Sequence, residues 1–350
     1  MPDSKYVNYC ISRLWDKSCY GLPLYHYCPL KHGLTDLKFE RAKLSFPYAF
    51  NDPLDSVGYY RGYPTFEAFM RYFADTPIFK YLHRYLHKTR REDREIWREN
   101  RDIVTEVYSR LCLGKSRPCS KNLLMSLCKG TNLDAEVLLW SHYADSSRGM
   151  RICYAFPDDA HWPIYQIKYV KKLPALDFHR LSSLNPMSEE FDKLQNDYHF
   201  NMLTSKQKIW EYEEECRLIT NVDDQASVYQ EGSLWFVRIP NSFVKRVDFG
   251  ARAFGDDKYK RDEKFLRKAM SLSKETKIPI QCFRMAELQV SKYGFKYVDI
   301  YEAMKRLQRR ITAGIAKSSD LKMPRGIRQA LKSLKIDDFA NLLIRKSRMD

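Results

Sequence analysis

The chain has 350 residues, of which 44% are hydrophobic, so it can bury one large core or two of ordinary size. It carries 60 Lys and Arg against 44 Asp and Glu, and the resulting net charge of +16 favours an anionic partner such as nucleic acid, a dinucleotide or an acidic protein surface. Glycine and proline, at 13 and 15, are too scarce for a fibrous or largely disordered chain, and no apolar run reaches the roughly 18–20 residues of a membrane-spanning helix.

The N-terminus lacks the apolar stretch and the small-residue cleavage site of a secretory signal, which predicts a cytoplasmic protein with no membrane partner. The nine cysteines fit this compartment, because their number is odd and no two form the C-x-x-C pair typical of structural zinc sites. His83 and His87 have the i, i+4 spacing that can chelate a metal, but no H-E-x-x-H motif or acidic ligand accompanies them. We therefore expect reduced, buried thiols and no metal site.

In chain order, the sequence first predicts a helical lead-in within residues 1–21 and a strand, LPLYHYC, at 22–28. A short helix and the strand KLSFP follow, and then FNDPLD at 50–55, whose Asn, Asp and Pro are turn formers. Apolar residues recur at three- and four-residue spacing within 64–112, which predicts a helical insertion there.

LLMSLC is a predicted strand, DAEVLLWSHYADS a short helix and GMRICYAF another strand. The later part mixes the predicted strands IYQIKYV, ECRLIT, SLWFVRIP, RVDFG and IPIQCFRM with amphipathic helices at 187–208 and 256–273. Residues 301–350 hold thirteen basic and five acidic residues, so half of the net charge lies in this stretch. We expect it to form a basic helical tail, broken near Pro324.

Strands are too numerous for a helical bundle, and they do not alternate regularly with helices as they would in a doubly wound parallel sheet. We therefore predict an α+β fold with a mixed, mainly antiparallel sheet in one principal domain at 22–300. The sequence lacks G-x-G-x-x-G and the Walker lysine loop, which disfavours Rossmann and P-loop nucleotide sites.

The segment KQKIWEYEEECR alternates carboxylates directly before a predicted strand. If that strand begins near Tyr212, Glu213 and Glu215 project from the same face, because strand side chains alternate. Two carboxylates held together repel, which raises the pKa of one and suits acid–base chemistry or stabilisation of a developing cation. An acidic patch that merely compensates basic neighbours is the alternative; Trp210 and Arg217, which flank the pair, favour a functional site.

Three further stretches gather polar and aromatic residues, and each also has a purely structural explanation. These explanations are a hydrogen-bonded histidine on a strand, a turn capped by polar side chains, and a helix end packed against a sheet. The residues concerned are His26 and Tyr27 in LYHY, Asn51 and Asp52 in FNDPLD, and His142 and Tyr143 in WSHYA.

Taken in order, these stretches resemble a bacterial family classed as a domain of unknown function. Its members carry an L-Y-K-Y-like opening, F-N-D-P-F-D, W-x-H-Y-A with a following glycine, and W-x-Y-E-x-E-x-R. Here the motifs are LYHY at 24–27, FNDPLD at 50–55, WSHYA at 140–144 followed by Gly149, and WEYEEECR at 210–217. The resemblance covers about residues 22–290, with Leu54 and Cys216 in place of the family's usual aromatic residues.

The layout of these motifs is also similar to that of ADP-ribosyltransferases, which implies NAD as the substrate. By this resemblance His26 contacts the ribose on the nicotinamide side, and Tyr143 or Tyr27 stacks on the nicotinamide. Glu215 is then the catalytic carboxylate, assisted by Glu213, because a carboxylate stabilises the oxocarbenium-like transition state of glycosidic cleavage. The other residues expected at the site are Asn51, Asp52, Trp210 and Arg217 for binding and His142 for catalysis.

This interpretation predicts that His26, Tyr143 and Glu215 line one cleft, and it fits a bacterial toxin or phage-defence effector that modifies nucleic acid or protein. A second interpretation is a metal-dependent nuclease that holds Mg²⁺ through Asp52, Asp55 and the two glutamates, with His142 as the base and basic helices on the phosphates. A third is a module that binds nucleic acid or an acidic partner protein without catalysis.

Overall fold

A computed structural model gives the fold of the chain. It describes residues 21–73, 93–99, 121–130, 135–157, 162–185, 188–224, 226–255, 258–289 and 293–313, and the single residues 19, 101, 102, 105, 132 and 291. The predicted lead-in helix, most of the predicted insertion at 64–112, and the predicted tail beyond residue 313 lie outside this description.

The strands are β1 (Leu24–Cys28), β2 (Arg41–Leu44), β3 (Tyr59–Arg61), β4 (Asn122–Cys128), β5 (Met150–Tyr154), β6 (Ile164–Gln166), β7 (Lys168–Val170), β8 (Ala175–Asp177), β9 (Ser205–Gln207), β10 (Glu215–Asn221), β11 (Val228–Glu231), β12 (Leu234–Arg238), β13 (Val244–Phe249), β14 (Phe283–Gln289) and β15 (Gly294–Asp299). The α-helices are α1 (Leu30–Lys38), α2 (Phe66–Phe73), α3 (Asp93–Glu99), α4 (Glu136–Tyr143), α5 (Phe178–Ser183), α6 (Glu189–Leu203), α7 (Lys258–Thr276) and α8 (Ile300–Thr312). Short 3₁₀ helices span Pro47–Ala49, Lys208–Glu213, Asn241–Phe243 and Ile280–Cys282.

The described residues form a mixed sheet of eight strands in the order β15-β14-β13-β5-β1-β4-β10-β6. Its neighbouring strands are antiparallel, apart from β13 and β14, which run parallel. A smaller sheet has the order β11-β12-β2, and two strand pairs, β3-β8 and β7-β9, complete the structure. The predicted α+β class with a mainly antiparallel mixed sheet is confirmed.

The two faces of the large sheet have different characters, because side chains alternate along each strand. Leu24 of β1 and Leu218 of β10 belong to the main apolar core, which α1, α7 and α8 cover. Tyr25 and Tyr27 of β1 point the other way, into a separate cluster beneath α4. The same strands thus contribute one face to the main core and the other to this smaller apolar cluster.

The predicted strand at 164–170 is two strands in the structure. β6 pairs with β10, whereas β7 pairs with β9 in a different pair of strands. The predicted helix at 187–208 likewise ends at Leu203, because the residues that follow form β9. Both differences depend on distant strand partners, which local periodicity cannot show.

The first turns of the predicted C-terminal tail pack into the principal domain. Within α8, Ala303, Met304 and Leu307 are buried in the main core and the helix contacts α7. Every helix in the described part of the chain is too short or too polar to cross a membrane.

The large sheet opens between β1 and β4. These strands share one pair of Cα partners, Tyr25 with Cys128, whereas β1 shares five pairs with β5 and β10 shares seven with β4. Further along β4, the backbone of Leu124 pairs instead with Ser45, which follows β2, through N–O distances of 2.9 and 2.8 Å. This parting of β1, β2 and β4 leaves a space between the strands.

His199 of α6 predicts a pH dependence of stability. Burial lowers its pKa from 6.5 to about 4. Below pH 6.5 the unfolded chain therefore takes up a proton that the folded chain does not, and stability falls as the pH drops towards 4. We expect the free energy of unfolding to fall by roughly 3 kcal/mol more over this window in the wild type than in His199→Gln. Urea denaturation at pH 6.5 and 4 measures this difference. An equal fall in the free energy of unfolding for the two proteins would contradict the lowered pKa of His199.

Candidate active site

A cavity of about 210 Å³ occupies the space where β1, β2 and β4 part. A buried water needs about 10–15 Å³ on this measure, so the cavity has room for a small organic group. The cleft predicted to contain His26, Tyr143 and Glu215 is confirmed, since all three line it. Predicted site residues on its wall are His26, Tyr27, Asn51, Asp52, Tyr143, Trp210, Glu213 and Glu215.

Glu213 and Glu215 converge through a turn and not through strand alternation. A 3₁₀ helix spans Lys208–Glu213, and β10 begins only at Glu215, so the predicted strand start near Tyr212 is wrong. Glu214 has a φ of 47°, in the left-handed region that non-glycine residues seldom adopt. This reversal, which local alternation cannot predict, brings the two neighbouring carboxylates together.

Lys206 of β9 lies between the carboxylates. Its Nζ is 2.6 Å from Glu213 Oε2, 3.1 Å from Glu215 Oε2 and 3.6 Å from Asp55 Oδ2. The ammonium also lies 5.3 Å from the centre of the Trp210 ring, within range of a cation–π contact. A buried lysine needs such partners to remain charged, and here they hold it at the base of the cavity.

Arg217 is fully buried and does not line the cavity. Its Nε and Nη2 donate to Glu215, its Nη2 also donates to Asp55, and its Nη1 donates to Ser56 Oγ and the carbonyl of Leu203. A guanidinium has five N–H groups, and this set uses all of them. The prediction that Arg217 contacts a ligand is therefore wrong: the residue positions Glu215 and Asp55.

The two glutamates have opposite pKa shifts. Burial alone raises the pKa of Glu215, but Arg217 and Lys206 outweigh it and lower this pKa from 4.5 to about 2. Burial raises the pKa of Glu213, and Lys206 only partly offsets the effect. Carboxylates whose environments separate their pKa values in this way suit distinct chemical roles, one as a fixed charge and the other as a proton acceptor.

Ser126 of β4 connects His26 to Glu215. Its carbonyl oxygen lies 3.0 Å from Nδ1 of His26, and its hydroxyl donates to Glu215 Oε1 at 2.7 Å. Because a carbonyl can only accept, Nδ1 carries the proton of the neutral ring and Nε2 is left as an acceptor. Burial lowers the pKa of His26, which favours this neutral form.

Aromatic side chains border the carboxylates. The Tyr143 hydroxyl donates to Glu213 Oε1 at 2.5 Å, and its ring is partly exposed on the cavity wall. Trp210 lines the same cavity. His142, by contrast, is exposed and does not line the cavity; its ring centre is 6.5 Å from that of Trp210. His142 is therefore not part of the cavity wall, and its catalytic role stays a prediction.

Tyr27 is fixed more firmly than Tyr143. Its ring packs edge-on against Trp140 with centres 5.3 Å apart, and its hydroxyl accepts from Nη1 of Arg151 at 2.9 Å. Arg151 is itself buried and bonded to Glu136 and Asp248. Of the two tyrosines proposed to stack on a ligand, Tyr143 is therefore the more accessible.

The turn FNDPLD forms another wall of the cavity. Asp52 Oδ1 accepts from the backbone N–H of Leu54 at 2.9 Å, as expected for an aspartate that stabilises a turn. Asn51 is exposed on the same wall. The predicted turn thus contributes both residues to the cavity, and Asp55 at its end reaches the buried ion cluster.

Sequence reasoning missed Lys206, Ser126 and Lys43, all of which line the cavity. Lys206 had a usable signal, because a lysine that opens an acidic segment is a natural counter-ion. Ser126 had none, since it is one polar residue in the apolar strand LLMSLC. Lys43 was assigned only to a strand, and its side-chain direction depends on the register of β2.

The donor set argues against a carboxylate-bound divalent metal at this site. Among the described residues, no group of three or more His, Cys, Asp or Glu is arranged to hold a metal ion. Asp55, Glu213 and Glu215 do converge, but the ammonium of Lys206 occupies the space between them. A cation placed there neutralises the oxygens that Mg²⁺ would need.

The chain was compared with known protein families, curated proteins and solved structures. No family model, curated protein or solved structure matches the chain. The resemblance to the bacterial family of unknown function therefore remains a prediction based on the four motifs.

Proposed function

We propose that the chain is an ADP-ribosyltransferase-like enzyme that uses NAD as its substrate. The main support for this proposal is that Ser126 is hydrogen-bonded to both His26 and Glu215, which line one cavity. Cleavage of the nicotinamide–ribose bond needs a group that orients the ribose and an anion that stabilises the developing positive charge. His26 Nε2 serves as the acceptor for a ribose hydroxyl, and Glu215 supplies the anion.

The charge of the cluster supports a substrate that places a cationic group beside it. When ionised, the three carboxylates of Asp55, Glu213 and Glu215 face the two cations of Lys206 and Arg217, so one net negative charge remains. The nicotinamide ring of NAD carries a positive charge, and its ribose becomes more positive as the glycosidic bond breaks. A preorganised negative site in a partly buried cavity stabilises both.

In the proposed reaction the glycosidic C–N bond breaks, and nicotinamide leaves with the bonding electron pair. The ribose carbon then carries oxocarbenium-like charge next to Glu215, which the pKa of about 2 keeps ionised. An acceptor nucleophile bonds to that carbon and loses a proton. Glu213, whose pKa is raised, is the group that takes this proton.

Tyr143 is the ring assigned to the nicotinamide. Its hydroxyl bond to Glu213 fixes the ring beside the carboxylate pair, and Trp210 adds a second aromatic wall. Flat aromatic walls favour a flat cationic ring over an aliphatic group. The net charge of +16 supports nucleic acid or an acidic protein as the acceptor, in the cytoplasm.

The test is incubation of the purified protein with NAD labelled in the adenine half, together with cell lysate or total nucleic acid, with and without EDTA. The proposal predicts release of nicotinamide and transfer of label to a macromolecule, both unaffected by EDTA. Cleavage of nucleic acid that EDTA abolishes would support the nuclease instead. Salt-sensitive binding of nucleic acid without turnover would support the non-catalytic module.

A further inference from the structure

Asp52 has an unsatisfied oxygen at the cavity. Its Oδ1 accepts from the backbone N–H of Leu54, but its Oδ2 is buried and has no hydrogen-bond partner among the described residues. A buried carboxylate oxygen normally has a donor, because the desolvation cost otherwise remains. Asp52 lines the cavity, so a small rotation of its carboxylate brings Oδ2 to a ligand there, which then supplies the missing donor.

Lys43 is a cation on the same cavity for which the described part of the chain supplies no acidic partner. It lies in β2, two residues before Ser45, and both residues line the wall. No acidic side chain of the described chain lies within ion-pair distance of its ammonium, whereas Lys206, the other lysine on this wall, has three carboxylates around it. Lys43 and Asp52 also form no ion pair with each other, so a ligand can contact both.

We infer that Lys43 and Asp52 form a subsite for a sugar phosphate. The ammonium of Lys43 binds a phosphate oxygen, and Asp52 Oδ2 accepts a hydrogen bond from a sugar hydroxyl. The pairing is chemically specific, because a phosphate needs a cation and a hydroxyl needs an acceptor, and the charged partner strengthens each bond. This inference rests on the proposed function, since NAD carries both groups beside the bond to be cleaved.

The subsite also divides the cavity into two parts of opposite charge. The carboxylate cluster around Lys206 keeps a net negative charge for the nicotinamide ring, while Lys43 provides a positive charge elsewhere on the wall. A substrate in which one ribose carries a cationic ring on one side and a phosphate on the other, as in NAD, matches this division. Nicotinamide alone, which has no phosphate, does not use Lys43.

The test measures binding without turnover. Ribose 5-phosphate is titrated into the wild type, Lys43→Met and Asp52→Asn by calorimetry. We expect the Kd to rise about tenfold in each variant, as for loss of one charge-assisted hydrogen bond. Lys38→Met serves as the matched control, because Lys38 is exposed and paired with Glu275 outside the cavity, and its Kd should not change. Thermal unfolding of each variant checks that the fold is intact.

The outcomes separate this inference from the proposed function. Binding that depends on Lys43 in a protein that does not cleave NAD supports the subsite and overturns the NAD assignment. NAD cleavage with the same KM in Lys43→Met and the wild type overturns the subsite and leaves the enzyme assignment standing. Equal affinity of all four proteins for ribose 5-phosphate overturns the subsite.

Discussion

Glu215→Gln is expected to lower the rate of nicotinamide release from NAD by about two to three orders of magnitude, the usual effect of removing a main electrostatic group from a transition state. Glutamine preserves the size of the side chain but removes its charge. The wild-type carboxylate stays ionised because Arg217 and Lys206 lower its pKa to about 2. The variant thus loses the anion that opposes the developing charge on the ribose.

Glu211→Gln is the matched control for this variant. Glu211 lies in the same acidic segment, but it is about half exposed and pairs with Lys208 on the surface. The same change of charge there should leave the rate unaltered. Near-UV circular dichroism checks that Glu215→Gln remains folded. Full activity of a folded Glu215→Gln protein would end the catalytic assignment.

Arg217→Met should destabilise the fold by about 3–5 kcal/mol, the range for breaking a buried ion pair from one side. The guanidinium is 0% exposed and lies 2.7 Å from both Glu215 and Asp55. Its removal leaves these carboxylates buried with only Lys206 to compensate them. Methionine fills much of the same volume, so the lost stability reflects the missing charge more than a change in packing.

The control for Arg217→Met is Arg61→Met. Arg61 pairs with Asp177 at 3.0 Å, but its side chain is 70% exposed. Exposed pairs contribute about 0–1 kcal/mol, so this variant should unfold almost as the wild type does. Urea denaturation measures both variants. Similar losses for the two variants would show that the buried cluster is not the structural support that we assign to it.

Much of the fold follows from the sequence because burial imposes a period on each strand. The β-forming residues on both sides of His26 predicted β1, and the apolar run of LLMSLC predicted the buried β4. The small strands β3, β8 and β9 have three residues each and carry no usable period. Their existence depends on strand partners far along the chain, which one sequence does not show.

The sequence predicted which residues belong to the site better than it predicted how they are arranged. The motifs named residues that do line one cavity, because polar residues in otherwise apolar elements need polar partners or water. Strand alternation was the wrong reason for placing Glu213 at the site. The left-handed backbone at Glu214 directs the side chain of Glu213 towards Lys206. Arg217 was placed at the ligand, yet it is fully buried and donates to Glu215 from the same face of β10. The first error concerns backbone direction and the second the depth of burial, and local residue types determine neither.

A structure of Glu215→Gln with NAD shows directly where the substrate binds, because the slow variant should retain it. We expect the nicotinamide ribose to lie in the cavity between His26 and residue 215, the ring to contact Tyr143, and a phosphate to contact Lys43. NAD bound outside this cavity, or a cavity that admits nucleic acid and a divalent metal instead, would contradict this expectation.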